Sequence, residues 1–360
     1  MKPSRETRLR LQRCALLFLC ALLFCASVCA TPFLAFAIPA ELGQALSGER
    51  PAPTIAPLKT EPAAFSAAPQ ETSGQEPPES EEPPSESSSE PAPPPENALF
   101  VSERDLSRTD KTGKPALLVG DETNYRVDPN AFLQRKYPLS LPETEDPVVL
   151  IVHTHGTESY LPDGTDYYLP GETFRSEDPE RTVVAVGERV AEVLRAYGIT
   201  VLHDTTMYDA EDYNTSYVSA SRGIRAHLAE YPSITYILDI HRDSIFTEDG
   251  TCVKTLTEFD GEPTAQIMLV AGSDADGSNL YAWRNNFTVA SYLQQALNER
   301  FPTLARPINL RTWAFNQNLS PGSLLVEIGA CGNTLSEALR AAERFAAVYA
   351  DVITNESDRP

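Results

Sequence analysis

Two clusters of histidine and carboxylate residues stand at the ends of apolar runs in this sequence. The first contains His155 and Glu158 and follows residues 148–152, and the second contains His241 and closes residues 236–240. Apolar, β-branched runs of this kind are typical of buried strands in a parallel sheet, and ligands collect at the carboxyl ends of such strands. We therefore expect the two clusters to meet at one edge of a sheet.

Imidazole and carboxylate groups in this spacing are typical of a catalytic zinc site. His155 and Glu158 are three residues apart, so one turn of the chain places both side chains on the same side. His241 completes a set of two histidines and one glutamate, which leaves a coordination position free for water. Zinc lowers the pKa of that water from about 15.7 to around 7, as amide hydrolysis at neutral pH requires. We predict these three residues as zinc ligands, with Asp239 or Asp243 orienting a ligating histidine.

Three other residues compete for the ligand positions. Alternation along a strand places His153 on the same side as His155, so periodicity alone does not separate the two, although the spacing to Glu158 favours His155. Glu177 and Glu180 lie directly before the next predicted helix and are alternative carboxylate ligands. The sequence leaves these choices open.

A third apolar run contains one acidic residue, Glu327, near the end of a predicted buried strand. A carboxylate in that position is the predicted general base, which takes the proton from water and returns it to the leaving nitrogen. Arg242 and Asn316 are predicted to contact the substrate or stabilise the oxyanion. His203 and His227 are expected to face solvent.

Strand-like and helix-like patterns alternate through most of the chain after residue 145. The predicted strands are residues 148–152, 199–203, 235–241, 252–259, 265–271, 308–312 and 323–328, and the predicted helices are 182–197, 217–231, 285–300 and 334–353. Residues 252–259 and 265–271 are expected to pair with each other, and residues 99–144 to form a lead-in at the domain edge. The pattern predicts an α/β fold with a mostly parallel or mixed central sheet and helices on both faces.

The N-terminal part of the chain has a different composition. Residues 1–13 contain five basic residues and one acidic residue, and residues 14–40 contain no charged residue. Such a segment can span a bilayer as a single helix, and its basic flank predicts that the rest of the chain lies on the extracytoplasmic side. A cleaved signal peptide is the alternative. Residues 41–98 are rich in Pro, Ser, Ala and Glu and predict a disordered linker, so the catalytic domain is expected over residues 99–355.

The charge balance and the cysteines limit the function further. A formal net charge of −22, without a basic stripe, argues against a nucleic-acid partner. Cys252 and Cys331 are the candidates for a disulfide in an oxidising compartment, but buried free thiols are the expected state. The segment around Ser323 lacks the second glycine of a nucleophile elbow, which argues against a serine hydrolase.

Five separated segments resemble the stage II sporulation protein P family, and the resemblance as a whole extends over about residues 117–352. They are residues 152–160, 182–187 with Gly187, 198–204, 239–243 and 316–329. The resemblance implies the α/β fold of zinc N-acetylmuramoyl-L-alanine amidases. It also implies hydrolysis of peptidoglycan, at the muramoyl-alanine amide and at peptide cross-links, during engulfment of the forespore. The implied partners are stage II sporulation proteins D and M. Cys331-Gly332 departs from the family pattern, and the amidase relatives take their carboxylate ligand from the start of the next helix, where this chain has Glu180.

The leading hypothesis is therefore a membrane-tethered zinc amidase and endopeptidase of the cell wall. A zinc carboxypeptidase acting on wall peptides is a second possibility, but it needs an arginine that binds the substrate carboxylate, and the sequence offers no clear candidate. A non-catalytic wall-binding scaffold is a third, and the intact His155, Glu158, His241 and Glu327 argue against it.

Overall fold

A computed structural model describes residues 93–109, 114–277 and 283–354. All of them belong to one unit that spans residues 87–360. The predicted anchor or signal segment, residues 1–40, and the predicted linker up to residue 92 lie outside the described residues. Within the described ranges, no helix is long and apolar enough to cross a membrane.

Strands and helices alternate along the described chain. In order they are β1 (Leu99–Phe100), β2 (Ser102–Arg104), β3 (Val119–Asp121), α1 (Pro129–Phe132), β4 (Val149–Val152), β5 (Tyr167–Tyr168), α2 (Val183–Ala196), β6 (Val201–His203), α3 (Ser216–Glu230), β7 (Tyr236–Asp243), β8 (Val253–Phe259), β9 (Glu262–Ala265), β10 (Ile267–Gly272), α4 (Trp283–Arg300), β11 (Ile308–Arg311), β12 (Gly322–Ala330) and α5 (Leu335–Thr354). Short 3₁₀ turns lie at Pro179–Arg181, Tyr213–Thr215 and Gln317–Leu319.

The central sheet has seven strands in the order β3-β11-β10-β12-β7-β4-β6. Every neighbouring pair is parallel except β10 with β12, which is antiparallel. The sheet is therefore mixed, as predicted, and β4, β6, β7 and β12 all run in one direction. The carboxyl ends of β4, β7 and β12 consequently lie at the same edge. Because β6 pairs on one side of β4 and β7 on the other, that edge contains a topological switch point, where α/β proteins bind ligands.

Helices cover both faces of the sheet, and the side chains of β4 show which helices pack on each face. Val149 and Ile151 point into the large core that α2, α4 and α5 share, whereas Leu150 and Val152 pack in a smaller cluster with Ile224 of α3. Because successive side chains of a strand point to opposite faces, an uninterrupted apolar run is needed where both faces are buried. This arrangement confirms the predicted α/β layers.

The two best-defined helices begin and end at residues that the sequence identifies. The Thr182 hydroxyl accepts the Val184 N–H at the start of α2, and Gly198 follows its end with a φ of +80° that disfavours other residues. At the start of α5, the Glu337 carboxylate accepts the Thr334 N–H at 3.0 Å, half of a capping box. The predicted boundaries of both helices agree with the structure within one or two residues.

One predicted strand pairing is wrong. Strand β8 pairs with β9, so of residues 265–271 only Ala265 has a partner in β8, and Ile267–Gly272 forms β10 in the central sheet. The reason is the tight turn at Asp260 and Gly261, whose φ values of 55° and 81° are those of a two-residue type I′ hairpin. That turn sets Phe259 opposite Glu262, and the chain leaves for the central sheet after Ala265.

The predicted lead-in contributes strands of its own. Strand β3 pairs with β11 at the edge of the central sheet, which agrees with the expected edge position. Strand β2 pairs with β8 in a separate three-stranded sheet, and β1 pairs with β5. These strands are too short for an alternation pattern to reveal them in the sequence.

Candidate active site

A cavity of about 530 Å³ opens at the edge where β4, β7 and β12 end. Its lining combines acids, bases and aromatic rings: His155, Glu158, Tyr213, Tyr217, His241, Arg242, Asp243, Ser244, Met268, Val270, Asn309, Arg311, Phe315, Leu325 and Glu327. The structure therefore brings the three predicted zinc ligands and the predicted general base to one cavity.

A tight turn after β4 places His155 beside Glu158. The Glu158 N–H donates to the carbonyl of His155 at 3.1 Å, and both side chains are buried. Glycine is required between them, because a Cβ on Gly156 would lie 2.9 Å from the Cα and Cγ atoms of Met207. The three-residue spacing thus works through a turn rather than through a helix.

Asp209 and Arg175 hold this turn, and neither was identified from the sequence. The Thr157 N–H and hydroxyl donate to the two Asp209 carboxylate oxygens at 3.1 and 2.6 Å. The Arg175 guanidinium donates to the same carboxylate, which also lies 3.8 Å from Nδ1 of His155. Asp209 is 52 residues away from Thr157 in the chain, so no local pattern reveals the contact.

Aromatic rings fix the orientation of the His155 ring. Tyr213 stacks on it with ring centroids 4.4 Å apart, and Tyr217 meets it edge-on at 5.4 Å. The Arg175 guanidinium covers the Tyr213 ring at 4.8 Å. The imidazole therefore has little freedom to turn away from the cavity.

His241 lies between two carboxylates. Its Nδ1 is 3.5 Å from Oε2 of Glu158, and its Nε2 is 2.9 Å from Oδ1 of Asp239, at an angle outside hydrogen-bond geometry. Asp239 is itself held by the N–H and hydroxyl of Thr154 at 2.9 and 2.6 Å. A carboxylate behind a histidine is the arrangement that orients metal-ligating imidazoles, so Asp239 has the position predicted for an orienting residue.

These contacts shift the pKa values of the two facing groups in opposite directions. Burial opposes the charged form of Glu158, but His241, Arg242 and His155 outweigh it and lower the pKa of Glu158 to about 2. Burial also opposes a charge on His241, yet Asp239 and Glu158 raise the pKa of His241 well above its ordinary value. Each of the two groups thus stabilises the charged form of the other, as in a buried ion pair.

The predicted donor atoms are of the types that zinc prefers, and one pair of them has a suitable spacing. Two ligands about 2.1 Å from a tetrahedral zinc lie about 3.4 Å apart, close to the 3.5 Å between Nδ1 of His241 and Oε2 of Glu158. Nδ1 of His155 is buried without a hydrogen-bond partner, whereas Nε2 of His241 faces the Asp239 carboxylate at 2.9 Å. Within the described residues, however, no three His, Cys, Asp or Glu side chains already form a metal-binding group. Zinc and its ligands therefore stay a prediction.

Glu327 lies next to the predicted ligands on the neighbouring strand. In the register of β12 with β7 it stands opposite His241, and its buried Oε2 has no hydrogen-bond partner. Burial, with the nearby Asp243 carboxylate, raises the pKa of Glu327 to about 8. This environment differs from that of Glu158, where hydrogen bonds and positive charges stabilise the carboxylate.

The two predicted substrate-binding residues have other contacts. Arg242 is buried, and its guanidinium donates to the carbonyls of Ser159 and Phe174, so it holds the cavity wall even though it also lines the cavity. Asn316 is not among the described residues that line the cavity, and its side chain donates to the Tyr217 carbonyl at 2.8 Å. Both residues therefore position their neighbours.

His153 does not share the cavity with His155. Its Nδ1 contacts the Ile240 carbonyl at 3.0 Å and its Nε2 contacts Nε2 of His203 at 2.8 Å, and burial with His203 nearby lowers its pKa to about 3. Strand β4 ends at Val152, so the alternation that put both histidines on one side stops before either of them.

His203 and His227 were both expected to face solvent. The expectation is wrong for His203, and His227 is only partly exposed. The His203 side chain is only 3% exposed, because it packs beneath α2 between His153 and Glu188. The His227 side chain is 26% exposed and contacts the Asp204 carboxylate at 3.0 Å. Burial of His203 comes from the helix that crosses above it, which strand periodicity does not show.

The alternative carboxylate ligands lie away from the cavity. Glu177 is exposed, and Glu180 is exposed on the 3₁₀ turn at Pro179–Arg181, where it borders a second cavity of about 410 Å³ with His203. Among the three candidates, the structure places only Glu158 beside His155 and His241.

Comparison with known sequences finds one family. The family described as stage II sporulation protein P matches residues 52–350. Stage II sporulation protein P of Bacillus subtilis (strain 168) is 29% identical over 222 residues, which cover 57% of this chain and 51% of that protein. The chain thus spans about half the length of the curated relative it matches.

Solved structures with a similar arrangement are amidases. N-acetylmuramoyl-L-alanine amidase AmiC2 of Nostoc punctiforme is 18% identical with a TM-score of 0.34, over 57% of this chain and 94% of that one. The catalytic domain of the amidase CwlV from Bacillus (Paenibacillus) polymyxa var. colistinus is 16% identical with a TM-score of 0.33, over 59% and 99%. Scores this low do not transfer a function.

Proposed function

The chain belongs to the stage II sporulation protein P family, and on this basis we propose that it is a zinc-dependent peptidoglycan hydrolase of sporulation. It cleaves the amide between N-acetylmuramic acid and L-alanine, and peptide cross-links as an endopeptidase, during engulfment of the forespore. One observation carries the proposal: His155, Glu158, His241 and Glu327 line the same cavity, at the edge of the sheet where α/β proteins bind ligands.

In this proposal, His155, Glu158 and His241 hold the metal. Asp239 orients His241 from behind, and Asp209 with Arg175 keeps the turn of His155 in place. A bound zinc ion supplies a Lewis acid that polarises the scissile carbonyl and activates water. The residues of the chain keep the donors aimed into the cavity before the metal arrives, which lowers the cost of binding it.

Glu327 moves the proton. It lines the cavity opposite His241 and its buried Oε2 has no hydrogen-bond partner, so it can take a proton from the attacking water and return it to the leaving nitrogen. A pKa raised to about 8 by burial suits this exchange, since a general acid and base works best when its pKa is near the operating pH. The assignment rests on the position of the group, and the pKa agrees with it.

The remaining walls suit a sugar-peptide substrate. Tyr217 and Phe315 bring aromatic rings to the cavity on which pyranose rings can pack, and Arg311, paired with Glu122 at 2.6 Å, adds a guanidinium to the lining. Asn309 adds an amide, and its buried Oδ1 has no hydrogen-bond partner. Sugars need apolar faces with a few polar groups, and peptide carboxylates need a cation.

The test is digestion of purified peptidoglycan by the full chain in detergent, with zinc, without added metal and with a chelator. Stem peptides with a free L-alanine N-terminus, separated from their glycan and released only with zinc, support the amidase, and opened cross-links support the endopeptidase. Release of single C-terminal amino acids would indicate the carboxypeptidase instead. Absence of fragments under every condition, even with sporulation proteins D and M added, would favour the non-catalytic wall-binding scaffold.

We also propose that the protein acts on the extracytoplasmic side of the cell membrane, held by residues 1–40, with residues 41–98 as the linker to the catalytic domain. The basic flank and the uncharged residues 14–40 support this placement. The proposed partners are peptidoglycan, the membrane, and stage II sporulation proteins D and M.

A further inference from the structure

Two cysteines outside the proposed hydrolytic machinery lie side by side in the core. Cys252 directly precedes β8 and Cys331 directly follows β12, and both are fully buried free thiols. They are 79 residues apart in sequence, yet their Sγ atoms are 2.7 Å apart. The sequence alone favours buried free thiols, but this distance changes that expectation.

A separation of 2.7 Å puts the two sulfur atoms in direct contact, and a disulfide bond is about 2.05 Å long. The surroundings of the pair are the apolar and aromatic side chains of Leu161, Tyr168 and Phe174, so water does not separate the thiols.

The backbone holds both residues in place without a bond between them. The Cys252 N–H donates to the Tyr168 hydroxyl at 3.0 Å, and its carbonyl accepts the Ser102 N–H at 2.9 Å. The Cys331 N–H donates to the Asp243 carbonyl at 2.9 Å. Because these contacts already fix the chain, little conformational entropy remains to be lost when the sulfurs join.

The two thiols also differ in acidity. The hydrogen bond from Cys252 lowers the pKa of Cys331 to about 7, and the Arg242 guanidinium acts in the same direction. The same hydrogen bond and burial raise the pKa of Cys252. In the folded pair, Cys331 is therefore the more acidic of the two thiols.

We propose that Cys252 and Cys331 form a disulfide in the mature protein, made by exchange with a protein or low-molecular-weight disulfide while the chain folds. The Cys331 thiolate attacks one sulfur of the oxidant disulfide, and the other sulfur leaves as a thiol. The Cys252 thiolate then attacks the Cys331 sulfur in the mixed disulfide and expels the second oxidant thiol. The cysteine pair is oxidised, the oxidant disulfide is reduced to two thiols, and the two cysteine protons end on those thiols.

The bond joins the three-stranded sheet to the end of β12 beside the cavity. Cys331 hydrogen-bonds the backbone of Asp243, and Asp243 and Ser244 line the cavity. The disulfide therefore stabilises the cavity wall without taking part in hydrolysis. Failure of this proposal would leave the proposed hydrolase untouched, and the reverse is also true.

The first experiment maps the cysteines in the full chain purified from cell membranes, with thiols blocked by N-ethylmaleimide in denaturant at lysis. Trypsin without reductant yields residues 243–254 with Cys252 and residues 312–340 with Cys331, whereas the other four cysteines lie together in a fragment that begins at Cys14. A linked pair of these two peptides, separated by reductant, is the expected result. Two separate peptides that each carry N-ethylmaleimide would overturn the proposal.

The second experiment compares thermal unfolding of the same protein with and without dithiothreitol. Reduction should lower the Tm of the wild-type chain by about 5–15 °C, because the closed loop is long, and should leave the Cys252→Ala/Cys331→Ala double variant unchanged. An equal shift in both proteins, or none in the wild type, would contradict the disulfide. The peptide map decides the matter even where the double variant fails to fold.

Discussion

At the scale of single residues, the cavity gives two glutamates opposite environments. Glu158 accepts the Arg242 N–H at 3.1 Å and faces His241, so it is held as a carboxylate. Glu327 has a buried oxygen without a partner, so it is free to gain and lose a proton. Glutamates whose environments push their pKa values apart commonly have separate catalytic roles, and here one suits a ligand and the other a base.

The role of Glu327 predicts a loss of turnover without a loss of metal. Glu327→Gln keeps the size of the side chain and removes the proton acceptor, so peptidoglycan cleavage should fall by about 10²–10⁴-fold. Zinc content, measured by mass spectrometry of the purified protein, should stay at the wild-type level. Loss of zinc from this variant would make Glu327 a ligand instead.

If His241 is a metal ligand, its replacement should abolish both zinc binding and peptidoglycan cleavage. His241→Ala removes one metal donor and leaves Asp239 and Glu158 facing each other, so zinc content and cleavage should drop together. His227→Gln is the matched control, because His227 is partly exposed and contacts Asp204 away from the cavity. Full zinc content in His241→Ala would exclude His241 from the site.

At the scale of elements, the packing of α2 against β4 decides which histidine enters the cavity. Helix α2 approaches so closely at Gly187 that a Cβ there would lie 2.5 Å from Cε1 of His153. His153 fills the space between helix and sheet, and His155 is left to the turn beyond the strand. Gly187 thus matters for a close approach rather than for a turn.

Because of this close contact, adding one methyl group at Gly187 should lower the stability of the fold. Gly187→Ala should destabilise the fold by about 1–3 kcal/mol, the usual cost of overpacking a core. Gly120→Ala in β3 is the matched control, since its Cβ would meet only the Ile308 carbonyl oxygen at 3.8 Å. Urea unfolding of both variants measures the difference, and equal midpoints would contradict the predicted clash.

The buried His153 also predicts a dependence of stability on pH. Its folded pKa of about 3 lies below the value of about 6.5 expected in the unfolded chain, so the unfolded state binds more protons. The contribution of His153 to the free energy of unfolding is therefore complete above pH 6.5. It is lost as the pH falls towards 3, by about 1.4 kcal/mol per pH unit. His153→Gln should flatten the slope of unfolding free energy between pH 6 and 4 by that amount. An unchanged slope would mean that His153 is not buried as a neutral group.

At the scale of the whole molecule, charge and segment order agree with the proposed location of the protein. The net charge of −22 disfavours polyanionic partners, and the basic residues 1–13 precede the uncharged residues 14–40. In the proposed arrangement, the Pro-rich residues 41–98 would give reach to a domain that acts on a polymer outside the membrane.

The proposed anchor predicts the fate of the full chain in a cell. The protein should sediment with membranes and resist a carbonate wash, and a protease added outside should remove the catalytic domain. Replacing residues 1–40 with a cleavable secretion signal should release the domain in soluble form. Release of the natural chain into the medium, with a new N-terminus after residue 30 or 37, would instead show a cleaved signal peptide.

Local patterns in the sequence determined the elements and the chemistry of this protein. Apolar periodicity predicts α2, α3, α4 and α5 and the strands β4, β7 and β12, because each pattern depends on neighbours a few residues apart. The spacing of His155 and Glu158, and the lone carboxylate of Glu327, point to the cavity for the same reason.

Only the tertiary structure decided which residues meet. Asp209 and Arg175 join the site from distant loops, His153 turns away because β4 ends at Val152, and β8 takes β9 as its partner because of a two-residue turn. Cys252 and Cys331 are neighbours across 79 residues. Contacts of this kind depend on how strands are ordered and where they stop, which periodicity does not encode.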